Sequence, residues 1–122
     1  LLENLYGDII SDLCAAFVGG LGLVPGANIG DACAIFEAVH GSAPDIAGKN
    51  LANPTAVVRS GLLMLRHLGE FDAALKVRNA LERVYRTRDK LTRDIGGKAG
   101  TSEFADAVIE AMETPQAAPA SV

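Results

Sequence analysis

Asp8 and Asp12 stand four residues apart in Asn4-Leu5-Tyr6-Gly7-Asp8-Ile9-Ile10-Ser11-Asp12. On an α-helix this spacing puts both carboxylates on one face, one turn apart. Like charges so placed repel and destabilise a helix by roughly 0.2–0.5 kcal/mol unless a cation or basic group lies between them. Magnesium or manganese, hard divalent ions that prefer carboxylate oxygen, would resolve the conflict. The same spacing occurs on solvated helix faces, so the pair reads as a metal site only through its context. That context is a strand-end turn, where ligand sites collect in α/β architectures.

A second constellation runs from His40 to Asn53. His40-Gly41-Ser42-Ala43-Pro44-Asp45 carries small residues where bulky ones would bar a ligand from the backbone. Exposed N–H groups in such a loop can hold a diphosphate, and a carboxylate nearby can accept hydrogen bonds from the diol of an adenosine ribose while repelling a 2′-phosphate. Asp45 is the candidate carboxylate. The glycine spacing is not that of the doubly wound dinucleotide fold, so spacing alone leaves a connecting loop as the better reading. By the same standard His40 reads as a strand-end cap and Asn53 as a helix cap.

The elements that must position these groups follow from pattern and punctuation. Leu1 to Leu5 reads as the end of a buried strand, closed by a turn at Tyr6-Gly7. A helix is expected from Asp8, with Ile9, Leu13, Ala16 and Phe17 as its apolar stripe and an end at Gly19-Gly20. Leu21 to Asp31, rich in glycine and proline, reads as a loop, and Ala32 to Val39 as a short buried strand. Asn53-Pro54 has the grammar of a helix start, for a helix reaching Leu68 and stopping at Gly69. A second helix from Phe71 to about Arg88, with Ala74, Val77, Leu81 and Val84 on one side, should fold back on it as an antiparallel pair. Thr101 or Ser102 should cap a last helix carrying Phe104, Val108 and Met112. Residues 114–122 read as a disordered tail.

Composition bounds the rest. The chain has 122 residues, enough for one small domain or part of a larger one. Apolar residues make up 49% and charged residues 21%, the balance of a globular core. The formal charge is −4 and the basic residues are scattered, so no cationic stripe is available to bind nucleic acid. No apolar run reaches the length of a membrane span, and no secretion signal is visible. Cys14 and Cys33 fall in apolar surroundings and read as reduced core cysteines in a reducing compartment. The chain opens Leu1-Leu2-Glu3 in what reads as a strand already under way, so the expectation is a piece of a longer protein.

Taken together, the Asn4–Asp12 block, Gly19-Gly20-Leu21-Gly22, Pro25-Gly26-Ala27-Asn28-Ile29-Gly30 and Glu37-Ala38-Val39-His40-Gly41-Ser42-Ala43-Pro44-Asp45-Ile46-Ala47-Gly48-Lys49 resemble the isocitrate and isopropylmalate dehydrogenase family. The likeness continues through Ala52-Asn53-Pro54-Thr55, Met64-Leu65-Arg66-His67-Leu68-Gly69 and Thr101 to Glu110, leaving only the tail unmatched. It implies an α/β fold of that family's type, C-terminal portion only and mostly helical with short strands. Residues 1–113 would then belong to the large, cofactor- and metal-binding domain.

The resemblance also assigns roles. It puts Asp8 and Asp12 where the family holds Mg2+ or Mn2+, with a third carboxylate from the partner subunit of a dimer. It places His40, Gly41, Ser42, Ala43, Pro44, Asp45, Ile46 and Asn53 around the adenosine half of a dinucleotide, Asn53 near the adenine, with Leu21 and Glu37 near the rest of the cofactor. Family members similar to NADP enzymes carry lysine and tyrosine where this chain has Asp45 and Ile46, so a carboxylate there implies NAD. Arg93 is a countervailing feature, because NADP members place phosphate-binding side chains near Leu91-Thr92-Arg93-Asp94.

The implied reaction is oxidative decarboxylation of isocitrate to 2-oxoglutarate. Isopropylmalate, homoisocitrate and tartrate remain alternative substrates, and a regulatory, non-catalytic role in a multisubunit enzyme is the other alternative. The catalytic tyrosine and lysine belong to earlier parts of the family's sequence, and Tyr6 is not that tyrosine. No catalytic residue is therefore expected in this segment, and the chain alone should not turn over. Homodimers or hetero-oligomers of family subunits are implied, in the cytoplasm of a bacterium or otherwise the mitochondrial matrix.

Overall fold

The computed structural model describes residues 2–114. The expected disordered tail lies outside that range except for Thr114, as does Leu1. Six regular elements follow in order: α1 (Asn4–Phe17), β1 (Pro25–Ile29), β2 (Ala34–Ala38), α2 (Thr55–His67), α3 (Phe71–Thr87) and α4 (Thr101–Glu113). Single 3₁₀ turns occupy Leu21–Leu23, Pro44–Ile46 and Arg93–Ile95. No described helix is long and apolar enough to cross a membrane.

The start of the chain corrects the sequence reading. Residues 4–7 are helical, not a strand and turn: Glu3 is the extended cap residue, and the Gly7 N–H already donates to the Glu3 carbonyl at 2.7 Å. A five-residue stretch with three leucines is too short for its period to separate strand from helix. Asp8 consequently sits in the second turn of α1, not at its N-terminus. The stripe of Ile9, Leu13, Ala16 and Phe17 lies on the helix as expected but is exposed, and Ala15 is the buried residue of α1. Among the described residues, only the Leu21–Leu23 turn packs appreciably against this helix. Cys14 and Cys33 are likewise exposed, one on α1 and one in the hairpin turn, because no described element covers either.

Part of the expected Leu21 to Asp31 loop is a strand. β1 pairs antiparallel with β2, from Pro25 opposite Ala38 to Ile29 opposite Ala34. Proline is tolerated as the first residue of a strand, where no ladder donor is needed. Gly26 suits its place opposite Glu37, since a Cβ there would stand a tight 3.2 Å from the Glu37 carbonyl oxygen. β2 itself is shorter than the expected Ala32 to Val39.

The second half follows its pattern closely. Helix α2 packs on both strands through small buried residues, Thr55, Ala56 and Ser60, and the Ser60 hydroxyl donates to the Glu37 carbonyl at 2.6 Å. α2 stops where glycine permits a left-handed turn, Gly69 at φ +82°. α3 then packs on α2, with Ala74, Ala80, Leu81 and Val84 buried. The Thr55 and Tyr85 hydroxyls share a 2.7 Å hydrogen bond that joins the two helices. The core lies between α3 and α4, where Ala80, Leu81, Val84, Leu91, Phe104 and Val108 cluster, Phe104 fully buried with Tyr85 edge-on to its ring.

The start of α4 also differs from expectation. Gly100, not Thr101 or Ser102, is the cap residue. A Cβ there would collide with Asn50, which explains the glycine. The cap and first-turn N–H groups find acceptors: Glu103 reaches back to accept from Gly100 N–H at 2.8 Å, and the Asn50 side chain accepts from Ser102 N–H at 3.0 Å.

Candidate functional site

Between β2 and α2 the chain runs as an exposed loop whose path is set by three residues in left-handed backbone, Ala43 (φ +43°), Gly48 (φ +73°) and Asn50 (φ +55°). The Pro44–Ile46 turn closes on the Ala43 carbonyl through Ile46 N–H at 3.1 Å. Among the described residues, no backbone acceptor meets the N–H groups of Gly41, Ser42 and Ala43. Donors so presented suit an anion that approaches the backbone. At Gly41 a Cβ would meet nothing within 4 Å, so the approach is open.

The far end of the loop is pinned to a segment some 50 residues away in sequence. Thr101 N–H donates to the Asn50 carbonyl at 3.0 Å, and the Thr101 hydroxyl to the Ala52 carbonyl at 2.5 Å. The Asn53 amide NH₂ donates to Asp94 at 2.9 Å, while its oxygen accepts from Thr55 N–H at 3.0 Å. Asn53 is buried and accepts from the first N–H of α2, but the cap residue is Pro54, one position later than the Asn53-Pro54 grammar anticipated. Asp94 is steadied in turn by the Thr92 hydroxyl at 2.6 Å.

These tethers form an open groove of about 700 Å3, within the range of small-molecule sites. Leu21, His40, Gly41, Ser42, Ala43, Ile46 and Asn53 all line it. Its remaining walls include Asn50, Leu51, Ala52, Asp94 and Thr101, none of which the sequence singled out as site residues. Local spacing held no signal for them, since they reach the groove only through tertiary pairing. Arg93 is exposed, and its neighbour Asp94 is the residue of that segment that faces the groove.

The other candidates lie nearby or apart. Pro44 and Asp45 belong to the 3₁₀ turn whose last residue, Ile46, lines the groove, and both are exposed without lining it themselves. Glu37 is on β2, its carboxylate accepting from the Asn28 amide at 3.0 Å across the hairpin. Asp8 and Asp12 are exposed, one turn apart on α1, and neither takes part in an ion pair among the described residues. They do not line the groove, but α1 leads through Gly19-Gly20 into the Leu21-Gly22 wall.

The donor sets fit the groups they are expected to hold. Among the described residues no cluster of three or more histidine, cysteine, aspartate or glutamate side chains gathers. Two hard carboxylate oxygens suit Mg2+ or Mn2+, and an ion of about six ligands needs the rest from water, substrate or another chain. The groove suits one half of a dinucleotide, offering open N–H donors along one wall and apolar Leu21, Ile46 and Leu51 along others.

Comparison with known proteins gives a consistent picture. The family model for isocitrate/isopropylmalate dehydrogenase matches residues 1–108. The chain is 54% identical to a mitochondrial NAD isocitrate dehydrogenase regulatory subunit from Dictyostelium discoideum, over 90% of this chain and 31% of that one. It is 56% identical to the isocitrate/homoisocitrate dehydrogenase of Thermus thermophilus, over 91% of this chain and 33% of that one. The crystal structure of isocitrate dehydrogenase from Methylococcus capsulatus superposes with a TM-score of 0.86 at 50% identity, covering 91% of this chain and 33% of that one. The chain spans about a third of the length of these relatives, and over that third it has their fold, mostly helical with two short strands.

Proposed function

Because the chain belongs to the isocitrate/isopropylmalate dehydrogenase family, we propose that it supplies the NAD-adenosine groove and two metal ligands of a decarboxylating dehydrogenase acting on isocitrate. One observation carries this reading: Leu21, His40 to Ala43, Ile46 and Asn53, far apart in sequence, converge on a single groove. The Gly41–Ala43 N–H groups hold the diphosphate side. The Asn53 amide is committed to Asp94 and Thr55, so contact with the adenine uses its main chain. Asp45, at the exposed turn, accepts from the ribose diol and turns away a 2′-phosphate.

Asp8 and Asp12 hold Mg2+ or Mn2+. When bound, the ion supplies Lewis acidity toward the substrate's hydroxyl and carboxylate oxygens. This chain's part is orientation: the helix fixes the two carboxylates one turn apart, and their common charge is relieved by the ion. Proton transfer requires groups of tuned pKa within hydrogen-bond reach, and the tyrosine and lysine of the family lie outside this chain. The exposed Leu5, Ile9, Leu13 and Phe17 on α1 suit burial against further family polypeptide, in a homodimer or hetero-oligomer. Residues 1–113 would form part of the large, cofactor- and metal-binding domain, working in a bacterial cytoplasm or a mitochondrial matrix.

A second reading, a regulatory rather than catalytic role, is favoured by the name of the Dictyostelium relative. Both aspartates being present speaks for the catalytic kind, and homoisocitrate, isopropylmalate and tartrate are the alternative substrates. Calorimetric titration of the chain with AMP, the adenosine end of NAD, tests the groove: saturable one-to-one binding is expected, and no binding at millimolar AMP overturns it. The isolated chain should form no NADH from isocitrate.

A further inference from the structure

The aspartate at the groove wall is engaged on both oxygens. Asp94 Oδ1 accepts from the Thr92 hydroxyl at 2.6 Å and Oδ2 from the Asn53 amide at 2.9 Å. Asn53 in turn fixes the first turn of α2 through Thr55 N–H. Across the groove, a Cβ at Gly22 would stand 3.9 Å from both Asn53 Cβ and Asp94 Oδ2, so the Leu21-Gly22 turn, Asn53 and Asp94 meet at one end of the cavity. Thr92 is fully buried and its segment is bridged to Ala99, which makes it a rigid anchor.

We propose that Asp94 is a positioning residue for adenosine binding: by clamping the Asn53 amide onto the buried Thr92 segment, it holds the Asn53 backbone at the end of the groove where the base docks. The inference rests on the nucleotide reading of the groove. A carboxylate suits the clamp because both of its partners are donors, and a buried amide left without an acceptor is unfavourable. Asparagine at this position can reproduce the clamp without charge, its oxygen accepting from Asn53 and its NH₂ donating to the Thr92 hydroxyl. Alanine cannot.

AMP titration of the 122-residue chain and its variants, at a temperature where circular dichroism shows each to be folded, separates the possibilities. Asp94→Ala is expected to weaken AMP binding about tenfold, whereas Asp94→Asn stays within about threefold of the parent. Asn53→Asp opposes two carboxylates without leaving a void; it should weaken AMP as Asp94→Ala does and serves if the alanine variant does not fold. Unchanged AMP affinity in Asp94→Ala or Asn53→Asp, with only a lower melting temperature, overturns the proposal while leaving the groove reading intact. Equal loss in Asp94→Asn and Asp94→Ala also overturns it, since the charge would then act on the ligand directly. Failure of the parent chain to bind AMP overturns the groove reading and this inference with it.

Discussion

Asn50 Oδ1 accepts a hydrogen bond from Ser102 N–H at 3.0 Å, so a residue of the groove loop caps a helix 52 positions further along the chain. The arrangement couples two requirements. α4 obtains an acceptor for a free first-turn N–H, and the loop obtains a fixed end from which the groove wall is built. Asn50 also occupies left-handed backbone at φ +55°, a conformation that asparagine tolerates better than most residues.

Substitution at Asn50 separates these two roles. Asn50→Gly removes the cap and keeps the backbone comfortable, and should lower stability by about 1 kcal/mol. Asn50→Ala adds the left-handed penalty, for a loss of about 2 kcal/mol. Urea denaturation of the two variants side by side measures the difference.

The glycines make contrasting predictions. A Cβ at Gly97 would overlap the Leu91 carbonyl group, so Gly97→Ala should destabilise by roughly 3 kcal/mol or more, or prevent folding. Gly61 lies inside α2 with open space around it. Gly61→Ala should therefore stabilise by about 0.5–1 kcal/mol, read as a higher melting temperature.

For the metal pair, Asp12→Asn keeps the shape of the side chain and removes one of two ligating charges. Mn2+ affinity, followed by calorimetry, should fall about tenfold, with AMP binding unaltered. The same result is expected for Asp8→Asn. Equal Mn2+ affinity in parent and variants would contradict the assignment.

Asp45 governs the choice between phosphorylated and unphosphorylated cofactor. The parent should bind AMP in preference to adenosine 2′,5′-bisphosphate. Asp45→Lys should reverse that ratio by at least about tenfold, roughly 1.4 kcal/mol. A ratio unmoved by the substitution would place specificity elsewhere, with Arg93 the next residue to test.

The sequence was most legible where burial and pattern coincide. Ala74, Leu81 and Val84 of α3, and Phe104 and Val108 of α4, repeat at helical spacing because they fill the core. Asn53-Pro54 is readable as a helix start because its chemistry is local, although the cap falls on Pro54. The start of α1 is not legible from pattern, since Leu2 and Leu5 are exposed and their apolar character reports no packing among the described residues. β1 was hidden by Pro25 and Gly26, residues that suit its first position and its close approach to Glu37. In the site, the His40 to Ile46 loop and Asn53 stood out by type, whereas Asn50, Asp94 and Thr101 join it only through hydrogen bonds between distant segments.

Backbone amide chemical-shift mapping during titration with AMP tests the central assignment most directly. Shifts are expected at the groove-lining segments Leu21-Gly22, His40 to Ala43, Ile46 to Gly48, Asn50 to Asn53, Asp94 and Thr101, and at Asp45 in the adjoining turn. Shifts centred instead on the cleft between α2 and α3 that Arg59, Arg66 and Arg78 line, or no shifts at saturating AMP, would contradict it.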